Sequence, residues 1–366
     1  MVHFSSLTAR QFMILAALFV IGDTILYVPS NVAFVAGRDA WISGLIAACA
    51  GLLLVSLYGK LGKEYPCILL IDICESAFGR FLGKAVGLWV ILFFFIDSGV
   101  LLWQIGDFMS THILVDTPIQ ASLILFIAII VMGVRLGAEI LGRASEIIFG
   151  WSAVLFVLFM VMLSPDLEGR HIQPLAENGL GPIVRGSLLL IGYYLESIVL
   201  ISLFPYFKHT GNLSNVLRKG MLIGSSVLAL TILICILVLG KDITVMNIFP
   251  TYILAQKISI GGILERIEVV IASIWIFTLY FKLSLCFHAA IRETAQLFKV
   301  KDYKILSFPS AILVVAASLI LVPNASYFNA LIIQTWWPYT LTQGLLLPLL
   351  LLGIPKVKSL VSTSKR

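Results

Sequence analysis

The run from residue 11 to residue 37, QFMILAALFVIGDTILYVPSNVAFVAG, is apolar over the length of a membrane-spanning helix, yet it holds Asp23 near its middle. An ionised carboxylate at that depth is costly, so it must face a polar interior rather than lipid, and such residues default to function. Gly22 precedes it and Pro29 follows, and both weaken the helix, leaving backbone groups to be satisfied inside the protein. The expectation is a broken first helix. A second stretch repeats the layout. Between Arg185 and Lys208 the only charge is Glu196, with Gly192 before it and Pro205 beyond. Interrupted helices at corresponding places in two halves of a membrane protein point to a binding site at the midplane.

The whole chain supports that reading: of 366 residues 60% are hydrophobic and 12% charged, with a mean hydropathy of +1.05. A soluble chain would carry about 25% charged residues. Apolar runs of spanning length fall at about residues 11–36, 40–59, 85–111, 119–137, 147–164, 183–207, 219–240, 260–290, 306–322 and 331–354, so ten spans are expected. No A-x-A-like cleavage site follows the first run, which is expected to stay as a helix.

Basic residues sort by loop. With the amino terminus inside, the inner segments hold 18 of the 25 Lys and Arg and the outer segments four, namely Arg38, Arg170, Lys241 and Lys257. This asymmetry puts both termini in the cytoplasm, and it explains the net charge of +6 without a nucleic-acid partner. Residues 60–84 read as a short amphipathic helix along the inner face. Residues 165–181 are the most polar outer segment and link the halves, while residues 247–262 read as a partly buried outer loop or short helix.

Five spans precede residue 183 and five follow, so the two halves enter the membrane from opposite sides. The expected fold is an all-α integral membrane protein in a single domain, a 5+5 inverted repeat of LeuT-like kind. The first repeat covers about residues 8–164 and the second about 183–354, with the first and sixth helices broken.

Each polar constellation has two readings. Asp23, with Gly22 and Thr24, either binds a ligand amine or cation, helped by free carbonyls of the unwound turn, or pairs with another helix and holds the bundle together. Gly192, Tyr193, Tyr194 and Glu196 offer two aromatic faces and a second acid, suited to an ammonium group or a sugar, or else the tyrosines only pack. Glu265, Arg266 and Glu268 open the eighth span and form either an outer gate or ion-pair lock, or a solvated helix end. Lys282, nearly four turns beyond Glu268 on much the same face, either replaces a coupling cation and takes a carboxylate such as Asp23, or snorkels to the surface. Asp97 with Gln104 and Asp107 makes a polar stripe that lines a ligand path or forms an interior hydrogen-bond network. Trp336, Trp337 and Tyr339 read as an interfacial anchor.

Nothing points to catalysis. No P-loop, nucleophile elbow, HExxH or GxGxxG occurs in a usable context, and the five histidines are scattered. The five cysteines form no CxxC pair and are expected in the core, with no disulfide framework, metal site or cofactor.

In order and spacing, the short amino terminus before the Asp23 helix, the inner stretch 61–79, Phe249-Pro250-Thr251, and Leu264-Glu265-Arg266-Ile267-Glu268 followed by Lys282 resemble one family over nearly the whole chain. This is the B subunit of bacterial spore germinant receptors, or endospore germination permeases, in the amino acid, polyamine and organocation transporter superfamily. The resemblance implies a ten-helix bundle unwound in its first and sixth helices, in the inner membrane of the dormant spore. It also implies a nutrient ligand such as an amino acid, sugar or nucleoside, and two partners, an A subunit and a lipoprotein C subunit. By position, the family's pocket maps to Gly22, Asp23 and Thr24 and to Gly192 through Glu196. Some relatives carry a Gly-rich turn in the first helix where this chain has Ile21-Gly22-Asp23-Thr24. A secondary transporter of amino acids or related solutes is the competing expectation.

Overall fold

A computed structural model describes residues 6–207, 212–257 and 267–354. They fold into fourteen α-helices: α1 Ala9–Ile21, α2 Thr24–Ala36, α3 Ala40–Glu64, α4 Leu70–Phe78, α5 Arg80–Phe108, α6 Ile119–Leu136, α7 Ala138–Leu163, α8 Leu180–Leu195, α9 Leu213–Met246, α10 Pro250–Lys257, α11 Glu268–Leu297, α12 Ser307–Leu321, α13 Ala325–Leu331 and α14 Trp337–Leu341. Nine described helical stretches are long and apolar enough to cross a membrane. One of them, Thr24–Glu64, covers 41 residues and contains the 3-10 turn Gly37–Asp39. At about 1.5 Å per residue that is twice the depth of a bilayer core of about 30 Å. It therefore supplies the second half of the first span (α2) and the whole second span (α3). With the 13-residue α1 as the first half of the first span, ten spans result.

Contacts between loops test this count. At one end, Arg38 donates to the Gln173 carbonyl, Asp39 Oδ1 accepts from the Ala176 amide at 3.0 Å, and Lys257 Nζ donates to the Val238 carbonyl at 3.3 Å. At the other, the Leu7 amide donates to the Tyr206 carbonyl at 2.8 Å, Glu293 reaches the start of α4, and Arg135 Nη1 reaches the Lys304 carbonyl at 3.0 Å. Every one of these contacts joins two segments assigned to the same side by the ten-span count. A shifted count would mix them.

The interior is built by α1 against α9 and α11, α3 against α8 and α9, and α5 against α11 and α12. The amphipathic segment expected over 60–84 is the nine-residue α4, which buries Leu70, Ile71, Ile73, Cys74 and Ala77. Its first amides have no side-chain cap of their own. Buried Glu293 of α11 takes the Leu70 and Ile71 amides at 3.1 and 3.0 Å and the Ser202 hydroxyl at 2.7 Å.

Helix α9 kinks at Gly240, whose φ of 73° only glycine adopts without strain. The kink removes helical partners from the preceding carbonyls, and neighbours replace them. Leu237 O accepts from the Glu168 amide at 3.1 Å and lies 2.8 Å from His171 Nδ1, while Cys235 O accepts from Thr244 Oγ1 at 3.2 Å. Arg170, bonded to Glu168, holds that exposed carboxyl below the usual carboxylate range. Of the cysteines, Cys74, Cys235 and Cys286 are buried as expected, but Cys49 and Cys67 are exposed.

Candidate functional site

Helix α1 ends at Ile21 and α2 begins at Thr24, so Gly22 and Asp23 are the unwound pair. Gly22 has φ 8° and ψ −110°, away from helical values. A Cβ on Gly22 would collide with Lys282 Cδ and lie 2.9 Å from Lys282 Cβ, so glycine is what lets α11 approach the break. Unwinding strips carbonyls of their helical donors. Thr24 Oγ1 shares its proton between the Val20 and Ile21 carbonyls, at 2.8 Å each. Thr278 Oγ1 donates to the Gly22 carbonyl at 2.9 Å, and Trp275 Nε1 to the Asp23 carbonyl at 3.3 Å. The carbonyls expected to be free for a ligand are thus already bonded within the protein.

The sixth span is interrupted differently. Helix α8 runs without a gap into an 11-residue 3-10 segment, Glu196–Tyr206, so the chain tightens rather than unwinds. All its residues are buried, and Glu196 is the first of them.

One side chain joins the two interruptions. Lys282 Nζ donates to Asp23 Oδ1 at 2.5 Å and to Glu196 Oε2. The remaining oxygens are also filled: Asp23 Oδ2 accepts from Gln104 Nε2 at 3.2 Å, and Glu196 Oε1 from Trp336 Nε1 at 2.5 Å. Asp23, Glu196 and Lys282 are 2%, 1% and 1% exposed. Taking three charges out of water requires this degree of pairing. Phe19 and Tyr193 turn their rings toward the ammonium, with centroids 5.3 and 5.9 Å away. Two carboxyl groups thus share one ammonium.

The structure therefore brings together Gly22, Asp23, Thr24, Tyr193, Glu196 and Lys282. Tyr193 also accepts from Asn31 Nδ2 at 3.5 Å. Gly192 instead serves packing, since a Cβ there would lie 2.8 Å from Trp337 Cβ. Tyr194 turns to α3, lying against Gly51. Asp97 is buried on α5 and accepts from Cys286 Sγ at 3.1 Å. Its stripe contributes Gln104 to the acids, and Asp107 lies only half-buried beyond it. Glu268 is the first residue of α11, about 21 Å of helix rise from Lys282, so a shared face does not make a shared site. Glu265 and Arg266 lie outside the described residues.

Trp336 corrects one expectation. It is buried and bonded to Glu196, not an interfacial anchor. It closes the π-helical turn Ile332–Trp336, and the extra residue in such a turn re-aims the face that follows. Thr278 and Trp275 also had no distinguishing pattern in the sequence, because polar and aromatic residues of a buried helix face look alike whether or not they cap a break.

Aromatic layers close the site on both sides. On the side of α10, Phe108 packs edge-on to Trp275 at 4.9 Å and to Phe249 at 5.2 Å, and Tyr27 meets Phe249 at 4.7 Å. On the opposite side, Phe12 meets Phe204 and Phe207 at 6.2 and 5.4 Å, and Leu7 pairs with Phe207 as an isolated β-bridge. This is an occluded arrangement.

A sequence profile described as Spore germination protein matches residues 6–326. The chain belongs to the spore germination protein family. It is 28% identical over 324 residues to Spore germination protein KB of Bacillus subtilis (strain 168), covering 87% of this chain and 86% of that one. With Spore germination protein YndE of the same organism the identity is 23%, over 70% of each chain. Among solved structures, the nucleobase-cation-symport-1 family transporter Mhp1 with bromovinylhydantoin bound superposes with a TM-score of 0.65 at 12% identity, covering 92% of this chain and 76% of that one. MhsT in complex with L-phenylalanine gives 0.64 at 13% identity, covering 96% and 98%. This spore germination protein thus has the LeuT-type transporter fold. Asp23, Glu196 and Lys282 all fall inside the matched region, and Trp336 lies beyond it.

Proposed function

We propose that this chain is the membrane-embedded nutrient-sensing subunit of a spore germinant receptor, and that Asp23, Glu196 and Lys282 form the core of its ligand site. The observation that carries the reading is the Lys282 ammonium held between acids from both interrupted spans. A ligand entering there must exchange partners with that ammonium. Two acids that already hold one ammonium favour a ligand group that is itself an ammonium, with Tyr193 and Phe19 supplying aromatic faces. Exchange loosens α11 from the first span, because Thr278, Trp275 and Lys282 hold the break from one helix face. The ligand shifts the balance between packings only by its differential affinity for them. The changed surface is read by an A subunit and a lipoprotein C subunit in the spore inner membrane, with both termini of this chain in the cytoplasm. The division into repeats at about residues 8–164 and 183–354 belongs to the same reading.

The test is germination of spores carrying Asp23→Asn, with nutrient response and subunit level followed together. A raised nutrient threshold at normal subunit level is the expected result. An unchanged threshold at normal level removes Asp23 from sensing, and loss of the subunits makes it a structural pair member. A second reading, secondary transport with Lys282 as a tethered coupling cation, is favoured by the position of that ammonium between spans of a transporter fold. Uptake of labelled amino acid by vesicles holding the full chain alone would favour it over sensing.

A further inference from the structure

Two troughs open on the membrane-facing side of the bundle, and they differ in what their cations do. The first, about 920 Å³ between α6 and α12, ends at Arg135. That guanidinium has partners within the protein: its Nη1 donates to the Lys304 carbonyl and to Ser307 Oγ at 3.0 and 3.1 Å, and it lies 5.0 Å from the centre of the Phe308 ring. The second trough begins as a cavity of about 610 Å³ at Arg80, Phe81 and Lys84. It continues through Leu88, Leu297 and Phe298, which line both parts, into one of about 440 Å³ walled by Leu92, Ile96 and Ile320. Arg80 and Lys84 have no ion pair or side-chain hydrogen bond among the described residues.

We infer that this second trough, between α5 and the α11–α12 pair, is a binding site for an anionic phospholipid. Arg80, Lys84, Leu88, Leu92 and Ile96 form a row of fourth neighbours that runs obliquely along α5. Its first two members are cations and the rest are apolar, the order of groups in a lipid with a charged head and a hydrocarbon tail. From Lys84 to Ile96 the helix rises about 18 Å, close to the depth of one leaflet's hydrocarbon. The headgroup phosphate sits between Arg80 and Lys84, and one acyl chain lies along Leu88, Leu92 and Ile96 under the exposed ring of Phe298. Phe81, 86% exposed beside the cations, has the interfacial position of a ring that meets a headgroup layer. Two unpaired cations at the mouth of an apolar trough fit a lipid phosphate better than they fit the apolar helix of another chain.

The full-length chain, reconstituted in vesicles of equal parts phosphatidylglycerol and phosphatidylcholine and then extracted in neutral detergent, is weighed by native mass spectrometry. Retention of phosphatidylglycerol over phosphatidylcholine by about thirtyfold is expected from two basic residues. The double substitution Arg80→Gln/Lys84→Gln brings the ratio close to one, whereas Arg135→Gln leaves it. If the double variant does not fold, the unsubstituted chain washed at about 1 M salt decides, since screening abolishes the preference if it is electrostatic. A ratio near one in the unsubstituted chain overturns the site, as does a preference that survives both the double substitution and the salt. So does recovery of a dimer whose formation shields Phe298 whatever lipid is present, because a second copy then fills the trough.

Discussion

The first and sixth spans are interrupted at the same level by different means, and they depend on their surroundings differently. At Gly22 and Asp23 the backbone itself loses helical bonds, and α11 supplies replacements through Thr278 and Trp275. At Glu196 the chain keeps hydrogen bonds by narrowing to a 3-10 helix; from α11 it takes only the Lys282 donor to its carboxylate, which Trp336 also reaches, while Tyr58 of α3 donates to the Leu195 carbonyl at 3.3 Å. One interruption leans on α11 for backbone and charge, the other for charge alone. Movement of α11 should therefore disturb the first span more than the sixth.

The largest test removes what both share. Lys282→Ala leaves two buried carboxylates without their cation and should cost about 3–5 kcal/mol, read as a large fall in the thermal midpoint of the purified chain. Adding Asp23→Asn and Glu196→Gln to Lys282→Ala should restore part of the loss, because no charge is then left unpaired. If the triple variant is no more stable than the single one, the three residues do not act as one charge cluster.

A smaller effect separates two glycines that look equivalent in the sequence. Gly22→Ala places a methyl against Lys282, and Gly192→Ala places one against Trp337. Overpacking at each should cost about 1–3 kcal/mol. Only Gly22→Ala displaces the ammonium, so only it should also move the nutrient threshold of spores at equal subunit level. Equal effects of both on the threshold would mean that the second interruption is as tightly coupled to Lys282 as the first.

Much of the architecture was legible because bilayer chemistry is severe. Apolar length fixed the spans, basic residues sorted by loop, and acids too costly to leave in lipid marked both interruptions. The form of each interruption was not legible. Gly22 and Gly192 occupy similar places in sequence, yet one lies at an unwound turn and the other at a helix–helix contact, which only the partners Lys282 and Trp337 decide. Lys282 as a partner of Asp23 was one of two open readings. Trp336 was misread because its aromatic neighbours match an interfacial belt, and the π turn that aims it inward has no composition of its own.

Trp336→Phe and Gln104→Leu compare the two carboxylates directly. Each removes one donor from an acid that keeps its bond to Lys282, and hydrogen bonds to charged groups contribute about 1.5–3 kcal/mol. The Trp336 bond is the shorter, 2.5 Å against 3.2 Å, so its loss should lower the thermal midpoint more. The reverse order would place the tighter carboxylate in the first span.

Thr278→Val probes the feature that sets the interruptions apart, the dependence of the first break on α11 for its backbone. The valine keeps the side-chain shape but gives the Gly22 carbonyl no donor, so that carbonyl is left to the protein interior. Interhelical hydrogen bonds within membranes average about 0.6 kcal/mol, so the thermal midpoint should fall only slightly. Hydrogen exchange is the sharper measurement. Amides of the first turns of α2 should exchange faster in Thr278→Val, while those that follow Glu196 should be unchanged, because the 3-10 segment takes no backbone bond from Thr278. Equal acceleration in both places would show that the two interruptions open as one unit and that their different backbone geometry makes no difference to their motion.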